Sequence, residues 1–367
     1  MRKRIGIIGA GNMGSILAVK FSRSNDVIVY TNMENEVGLY KKDMQVYLED
    51  NDSYYSGNIK EFTTDLKRLC DQSDYIFITF PSFLFGMLSK QLIPLLKEGQ
   101  HLIFVPGSGA AELYFKDVLD KGATITGLQR VHSVARIMKM GELTKETGVR
   151  GSLRIASIPC SYNKEAQGII SELYGLPVEM LDNYLNITLI NSNPILHTSR
   201  LYSIFKDYPD KVQEYDSLPL FYENWDMDSA KTLVKMDHEL FAIFDKLEQY
   251  GLPVKQINPI LVHYESVDEQ GLMNKISSIK SFKGLTTPSV KKENGKYLPD
   301  FHSRYFTADF PYGLEILLAF ANILEVPHPM MEKVDSWYRR VSKNSDPGFN
   351  LNDLGINNKE DLIKIYR

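Results

Sequence analysis

The sequence predicts a doubly wound α/β domain over residues 1–184 followed by an all-α domain over residues 185–367. Three observations carry this. A β-branched run, Arg4-Ile5-Gly6-Ile7-Ile8, feeds into Gly9-Ala10-Gly11-Asn12-Met13-Gly14 and then into an apolar helical pattern (Ile16, Leu17, Val19, Phe21). Strand patterns then alternate with helical ones up to about residue 184. From Asn186 onward, helical periodicity takes over and strand patterns stop.

The opening strand, G-x-G-x-x-G turn and helix start make a dinucleotide-binding (Rossmann) site. Gly9 turns the chain off the strand, Gly11 lets the backbone approach a pyrophosphate, and Gly14 lets helix and strand pack closely. The phosphate rests on free N–H groups at the helix start, contributed around Asn12 and Met13. Asp26–Tyr30 reads as the second strand. A carboxylate at its end, about 20 residues past the glycines, would hold the ribose hydroxyls of NAD. Thr31-Asn32 stand there instead, which removes the repulsion against a 2′-phosphate. No arginine stands beside them, and Glu34 and Glu36 are close. Both NADP and NAD are therefore expected cofactors, and the balance tips toward NADP. Tyr75–Phe80 is a continuous apolar run suited to a central parallel strand. Pro81 ends it, at the sheet edge where the nicotinamide half would lie.

Elements follow in order. A helix and then a strand near 59–62 are expected within 34–62. Further on come a helix at 84–96, strands at 101–105 and 124–128, and, after a break, strands at 153–158 and 178–181. In the second half, helices are expected at 194–205, 228–250, 259–264, 272–279, 312–323 and 329–342, several opened by proline, whose missing N–H costs nothing there. Residues 289–300, rich in lysine, read as an exposed loop, and the last twenty as a polar cap. Pro106-Gly107-Ser108-Gly109 is no nucleophile elbow, because proline replaces its first glycine.

Bulk composition narrows the function. The 367 residues carry 42 Lys and Arg against 46 Asp and Glu, a net charge of −4, which favours neither nucleic acid nor an anionic membrane. Cys70 and Cys160 make no disulfide framework or metal spacing. No window approaches the roughly 18 apolar residues of a membrane span. A soluble, cytoplasmic chain is expected, with homodimerisation left open.

Two patterns carry the chemistry. In Asn191-Ser192-Asn193-Pro194-Ile195-Leu196-His197, Asn193 suits an N-cap and Pro194 the first helical position, with His197 one turn inside on the face of Asn193. A structural histidine and an acid/base histidine both fit this spacing. In Ser303-Arg304-Tyr305-Phe306-Thr307-Ala308-Asp309-Phe310-Pro311-Tyr312-Gly313, Asp309 suits either a helix start or the orientation of a histidine ring. Arg304 suits either a surface ion pair or a fork gripping a carboxylate.

The N-terminal glycine motif, N-P-x-x-H, the stretch Leu220-Phe221-Tyr222-Glu223, and S-R-Y-x-x-x-D-x-P-Y-G-L at 303–314 occur in the order found in the octopine/nopaline (opine) dehydrogenases, and the chain resembles that family to about residue 340. The resemblance implies a nucleotide domain and a helical domain with the active site between them. It also implies reductive condensation of an amino acid with a 2-oxo acid, pyruvate being the common partner, through an imine. By it, His197 and Asp309 match the catalytic pair and Arg304 the carboxylate anchor. Thr198 stands where many members have proline. Arg136 and Arg200 are secondary cationic candidates, and Tyr222, Trp225 and Tyr312 pocket candidates. No metal site is expected; the remaining histidines read as structural, His132 with least support. Two other readings are a ketopantoate reductase or 3-hydroxyacid dehydrogenase, and a non-catalytic dinucleotide-binding sensor. The former resembles a lysine-based enzyme with asparagine four residues on, and no lysine here has that spacing. The latter leaves His197, Arg304 and Asp309 without a role.

Overall fold

The computed structural model describes residues 2–343 and 348–367. The chain divides into two compact units: Met1–Thr188 with Tyr366–Arg367, and Leu189–Ile365.

The first unit is built on β1 (Arg4–Ile8), β2 (Asp26–Tyr30), β3 (Gln45–Leu48), β4 (Ser53–Ser56), β5 (Glu61–Thr63), β6 (Tyr75–Ile78), β7 (His101–Phe104), β8 (Thr124–Leu128), β9 (Val134–Lys139), β10 (Leu143–Thr147), β11 (Leu153–Ile158) and β12 (Val178–Met180). Eight of these form the main sheet, in the order β12-β11-β8-β7-β6-β1-β2-β5. From β5 to β8 every pairing is parallel, and β11 joins antiparallel to β8. Strand order reverses at β1, where β2 lies on one side and β6 on the other. That reversal is the point at which doubly wound sheets bind ligands. The inner strands are apolar because both sheet faces are covered; Ile5, Ile7, Phe77 and Ile103 are all buried.

Three hairpins run against the expectations. Within the tyrosine-rich segment after Glu34 the α-helix is only four residues long, Glu34–Val37; β3 and β4 follow, joined through a 3-10 turn at Glu49–Asn51. They pair with β9 and β10 in a second sheet, β4-β3-β10-β9, which fills the expected break before β11. In the second unit, Ser289–Lys291 and Tyr297–Pro299 form a two-stranded hairpin where a loop was expected.

His132 is structural. It is buried, lies 2.9 Å from the Glu146 carboxylate and packs edge-on against Tyr174. The C-terminal Tyr366 returns to the first unit, where its hydroxyl and that of Thr188 both donate to one oxygen of Glu112, each at 2.6 Å. Burial pushes the Glu112 carboxyl up to about 7.

The second unit is otherwise helical. The Met227–Gln249 helix is its axis, capped by Asp226, whose carboxylate accepts from Ser229 N–H at 2.7 Å. The Asn193–Phe205, Glu315–Ile323 and Pro329–Ser342 helices pack against it. An aromatic core joins Phe205, Phe306, Phe310, Trp337 and Tyr338, with Phe310 and Tyr338 stacked 4.0 Å apart.

Candidate active site

In the second unit, the helix carrying His197 begins at Asn193, one residue earlier than expected. Its N-cap is Ser192 rather than the expected Asn193, and it carries no side-chain capping hydrogen bond. Pro194 lies in the first turn. Gly313 packs onto it: a Cβ on Gly313 would stand 3.3 Å from three Pro194 carbons. This close approach sets the turn after Asp309 against the start of the histidine helix. Phe306 and Phe310, buried on either side of Asp309, fix that turn in the core.

Phe310–Leu314 forms a wide π-type turn, closed by Leu314 N–H donating to the Asp309 carbonyl at 2.9 Å. Such bulges in helices are frequent at functional sites. Asp309 occupies the N-cap position, yet its carboxylate caps nothing there. It accepts instead from Nδ1 of His197 at 2.7 Å. A carboxylate only accepts, so this contact places the ring proton on Nδ1 and makes Nε2 of the neutral ring an acceptor. Nε2 takes its hydrogen bond from the Tyr222 hydroxyl at 2.6 Å. The Tyr305 ring lies 4.7 Å from the imidazole and Phe221 meets it edge-on at 5.7 Å. His197 is 8% exposed. The structure therefore brings three of the expected site residues, His197, Asp309 and Tyr222, into one hydrogen-bonded row.

Arg200, a secondary anchor candidate, does not serve as one. It is fully buried, one turn on from His197. Its guanidinium donates to the carbonyls of Phe221 (2.8 Å), Leu220 (3.3 Å) and Asn224 (2.8 Å), to Asp226 (2.7 Å) and to Ser229 (2.9 Å). No donor is left for a substrate; the side chain clamps the segment that carries Tyr222. Arg200→Gln is expected to lower stability by about 3 kcal/mol, because it strands buried carbonyls. Arg304→Gln, on an exposed side chain, should stay within about 0.5 kcal/mol. Denaturant midpoints of the two variants check this.

Arg304 opens a short helix, Arg304–Thr307, and is exposed. Trp225 is buried beneath Arg200, 5.3 Å from its guanidinium, and stacks on Tyr222, so it serves packing. Tyr305 was overlooked by sequence reasoning, although it stands inside the motif that drew attention to Arg304 and Asp309.

The first unit holds the remaining expected residues. Gly9 has φ of +115°, a conformation side chains rarely adopt, and a Cβ there would meet the Thr79 hydroxyl at 2.5 Å. Gly11 faces open space, with nothing within 4 Å of an added Cβ. Helix α1 (Asn12–Ser22) carries no side-chain cap and no acidic residue in its first turn. Its first N–H groups are thus open to an anion, which fits a dinucleotide pyrophosphate. The Asn12 side chain is already engaged, accepting from Ile137 N–H of β9 at 2.8 Å. Arg136, exposed, is the next residue on that strand. Met13 is half-buried and Pro81 exposed at the end of the β6 segment. Thr31 is buried and its hydroxyl accepts from Met33 N–H at 3.3 Å, so at the strand tip Asn32 is the side chain facing outward. Among the described residues no cluster of side chains could hold a metal ion, and no helix is long and apolar enough to cross a membrane.

Comparison with known proteins agrees with both halves. Residues 180–342 match the family model for the NAD/NADP octopine/nopaline dehydrogenase α-helical domain, and residues 4–104 match that for NADP oxidoreductase, coenzyme F420-dependent. The tauropine dehydrogenase of Arabella iricolor is 27% identical over 286 residues, spanning 73% of this chain and 71% of its own. The helical half of the chain carries the domain of the octopine/nopaline dehydrogenase family. The fold agrees along nearly the whole length. An octopine dehydrogenase solved with NADH and L-arginine superposes with a TM-score of 0.88 at 21% identity, covering 99% of this chain and 98% of that one. A yersinopine dehydrogenase with NADP+ bound superposes with a TM-score of 0.67 at 12% identity, covering 99% and 97%. A nicotinamide dinucleotide is the family's cofactor, and the uncapped helix start and open Gly11 suit it.

Proposed function

We propose that this NAD(P)-dependent dehydrogenase joins the amine of an amino acid to a 2-oxo acid and reduces the resulting imine to a secondary amine. The observation that carries the reading is the Asp309 carboxylate turned away from its own helix start and onto a buried imidazole. The similarity to opine-forming relatives supports the same chemistry.

A bound nicotinamide supplies the hydride. The protein's own residues handle charge and protons. Condensation requires the ammonium of the amino acid to lose a proton and the hydroxyl of the adduct to leave as water. His197 takes the first proton and returns one to the departing hydroxyl. Asp309 holds the ring by Nδ1 and stabilises its charged form while the proton resides there. Both substrates carry carboxylates, so cationic forks are needed. Arg304, exposed and with its fork available, is assigned to one of them, and Arg136 to the other. Asn32, standing where a carboxylate would hold the ribose hydroxyls at the strand tip, supports use of NADP as well as NAD, with NADP preferred. Pyruvate is the proposed oxo acid.

Arg304→Lys is expected to raise the KM for the carboxylate substrate about tenfold, the cost of one charge-assisted hydrogen bond of about 1.5 kcal/mol. An unchanged KM would remove Arg304 from binding. Mass spectrometry of the products tests the reaction itself. An N-(1-carboxyalkyl) amino acid is expected; a 2-hydroxy acid as sole product would overturn the reading.

A further inference from the structure

We propose that the amino acid joined by this protein is an acidic one, and that Arg130, Arg150 and Arg154 line the cavity that receives its side-chain carboxylate. The proposal rests on the opine-type reaction given above and names the substrate class for it.

The fold of the first unit gathers the three arginines. Arg130 follows β8, whose C-terminal end lies level with those of β6 and β7 at the carboxyl edge of the main sheet. Strand β11 runs antiparallel to β8, so its first residues return to that edge, and Gln129 N–H donates to the Arg154 carbonyl at 2.9 Å. Arg150 precedes β11 and is tied to the segment after β8. Its Nε donates to the Val131 carbonyl and its backbone N–H to that of His132, each at 2.9 Å. With Gln129, Ser152 and Leu153 these side chains line a cavity of about 170 Å³. Ligands of doubly wound sheets bind at the carboxyl edge.

The cavity suits an anion. No carboxylate stands among its lining residues. Arg154 is matched by Glu179 of β12, which accepts from Nε at 3.1 Å and Nη2 at 2.9 Å. Buried Gln129 steadies the third arm: its amide oxygen accepts from Nη1 of Arg154 at 3.4 Å, and its amide nitrogen donates to the Asn186 carbonyl at 2.8 Å. Arg130 and Arg150 add two further positive charges, and the Nη groups of Arg150 donate to nothing among the described residues. A cleft lined by one sign of charge concentrates the opposite sign. A guanidinium also offers paired N–H donors that match a carboxylate.

Size and place select among anions. Sites that enclose whole ligands run to roughly 300–1,000 Å³, so a cavity of about 170 Å³ takes one end of a molecule. The tip of β2, where a ribose 2′-phosphate would lie, is four strand spacings from β8, roughly 19 Å. The end of β6, on the nicotinamide side, is two spacings away, roughly 10 Å. The cavity is therefore placed for the far end of a substrate that reacts beside the nicotinamide, and an acidic side chain supplies the anion.

The test measures cofactor consumption with pyruvate and matched amino acids, glutamate against glutamine and aspartate against asparagine. Each amide keeps the shape and loses the charge. For the better acid, kcat/KM is expected to exceed that of its amide about tenfold or more. Arg150→Gln is expected to cut this ratio about tenfold, through a higher KM for the acid with kcat within about threefold. Arg150 is exposed, so the denaturant midpoint should not move. Equal kcat/KM for acid and amide, preference for a basic or apolar amino acid, or a ratio that Arg150→Gln leaves unmoved would each overturn the proposal. Formation of a secondary amine in those same assays would leave the opine-type reading intact. If no amino acid yields a secondary amine, the reading of the reaction falls and the proposal with it.

Discussion

His197→Ala is expected to lower kcat by about two to four orders of magnitude, the range associated with losing a positioned general acid/base. That corresponds to about 3–5 kcal/mol of transition-state stabilisation. The loss should fall on kcat rather than on cofactor affinity. His197 belongs to the helical unit and its partners are Asp309 and Tyr222, whereas the glycine turn belongs to the first unit. Fluorescence titration with NADH and NADPH should give dissociation constants within about threefold of wild type, since no contact to the dinucleotide turn is removed. Turnover within a few fold of wild type would take the histidine out of the mechanism and leave the Asp309 contact as a structural ion pair.

The second large effect concerns the glycine turn, where two substitutions should fail for different reasons. A Cβ on Gly14 would stand 1.7 Å from the Gly9 carbonyl oxygen, 2.8 Å from the Gly9 carbonyl carbon and 3.0 Å from the Thr79 hydroxyl. Backbone cannot yield as a flexible side chain can. Gly14→Ala should therefore cost about 3 kcal/mol or more, the upper end for overpacking, seen as a lower denaturant midpoint. Gly11 has nothing within 4 Å and an ordinary φ of −73°. Gly11→Ala should fold with normal stability and bind NADH and NADPH at least tenfold more weakly, because the methyl occupies the space into which a pyrophosphate would fit. Equal stability for Gly14→Ala, or undiminished binding by Gly11→Ala, would contradict the assignment of the turn.

Much of this was legible in the sequence, for physical reasons. The parallel strands announce themselves because both faces are buried, so Ile5–Ile8 and Tyr75–Ile78 read as unbroken apolar runs. The second-unit helices show 3.6-residue periodicity because each hides one face. The small sheet gave no such signal. Along β4 and β9 half or more of the residues are exposed, and the sheet unites segments about ninety residues apart, here Tyr55 on β4 and the Glu146 carboxylate on β10, 2.7 Å apart. The Ser289–Pro299 hairpin did leave a signal. Asn294-Gly295 is a favoured hairpin turn, and Gly295 has φ of +82°, but the surrounding lysines read as a solvated loop. Asp309 was ambiguous in sequence, because a helix start and a histidine partner demand the same residue type. Only three-dimensional packing separates the two, through Gly313 lying on Pro194. Arg200 misled for a similar reason: an arginine beside a catalytic motif reads as an anion anchor, and nothing local reveals that three carbonyls, a carboxylate and a hydroxyl from 20 to 29 residues downstream exhaust its donors.

The most direct test of the central claim is the consumption of NADH and NADPH by the purified protein, measured with pyruvate alone, with a panel of amino acids alone, and with both together. Loss of reduced cofactor only when an amino acid and the oxo acid are both present, abolished by His197→Ala, is the predicted result. Equal consumption with the oxo acid alone would contradict the account, because reduction of a ketone needs no amine and no imine.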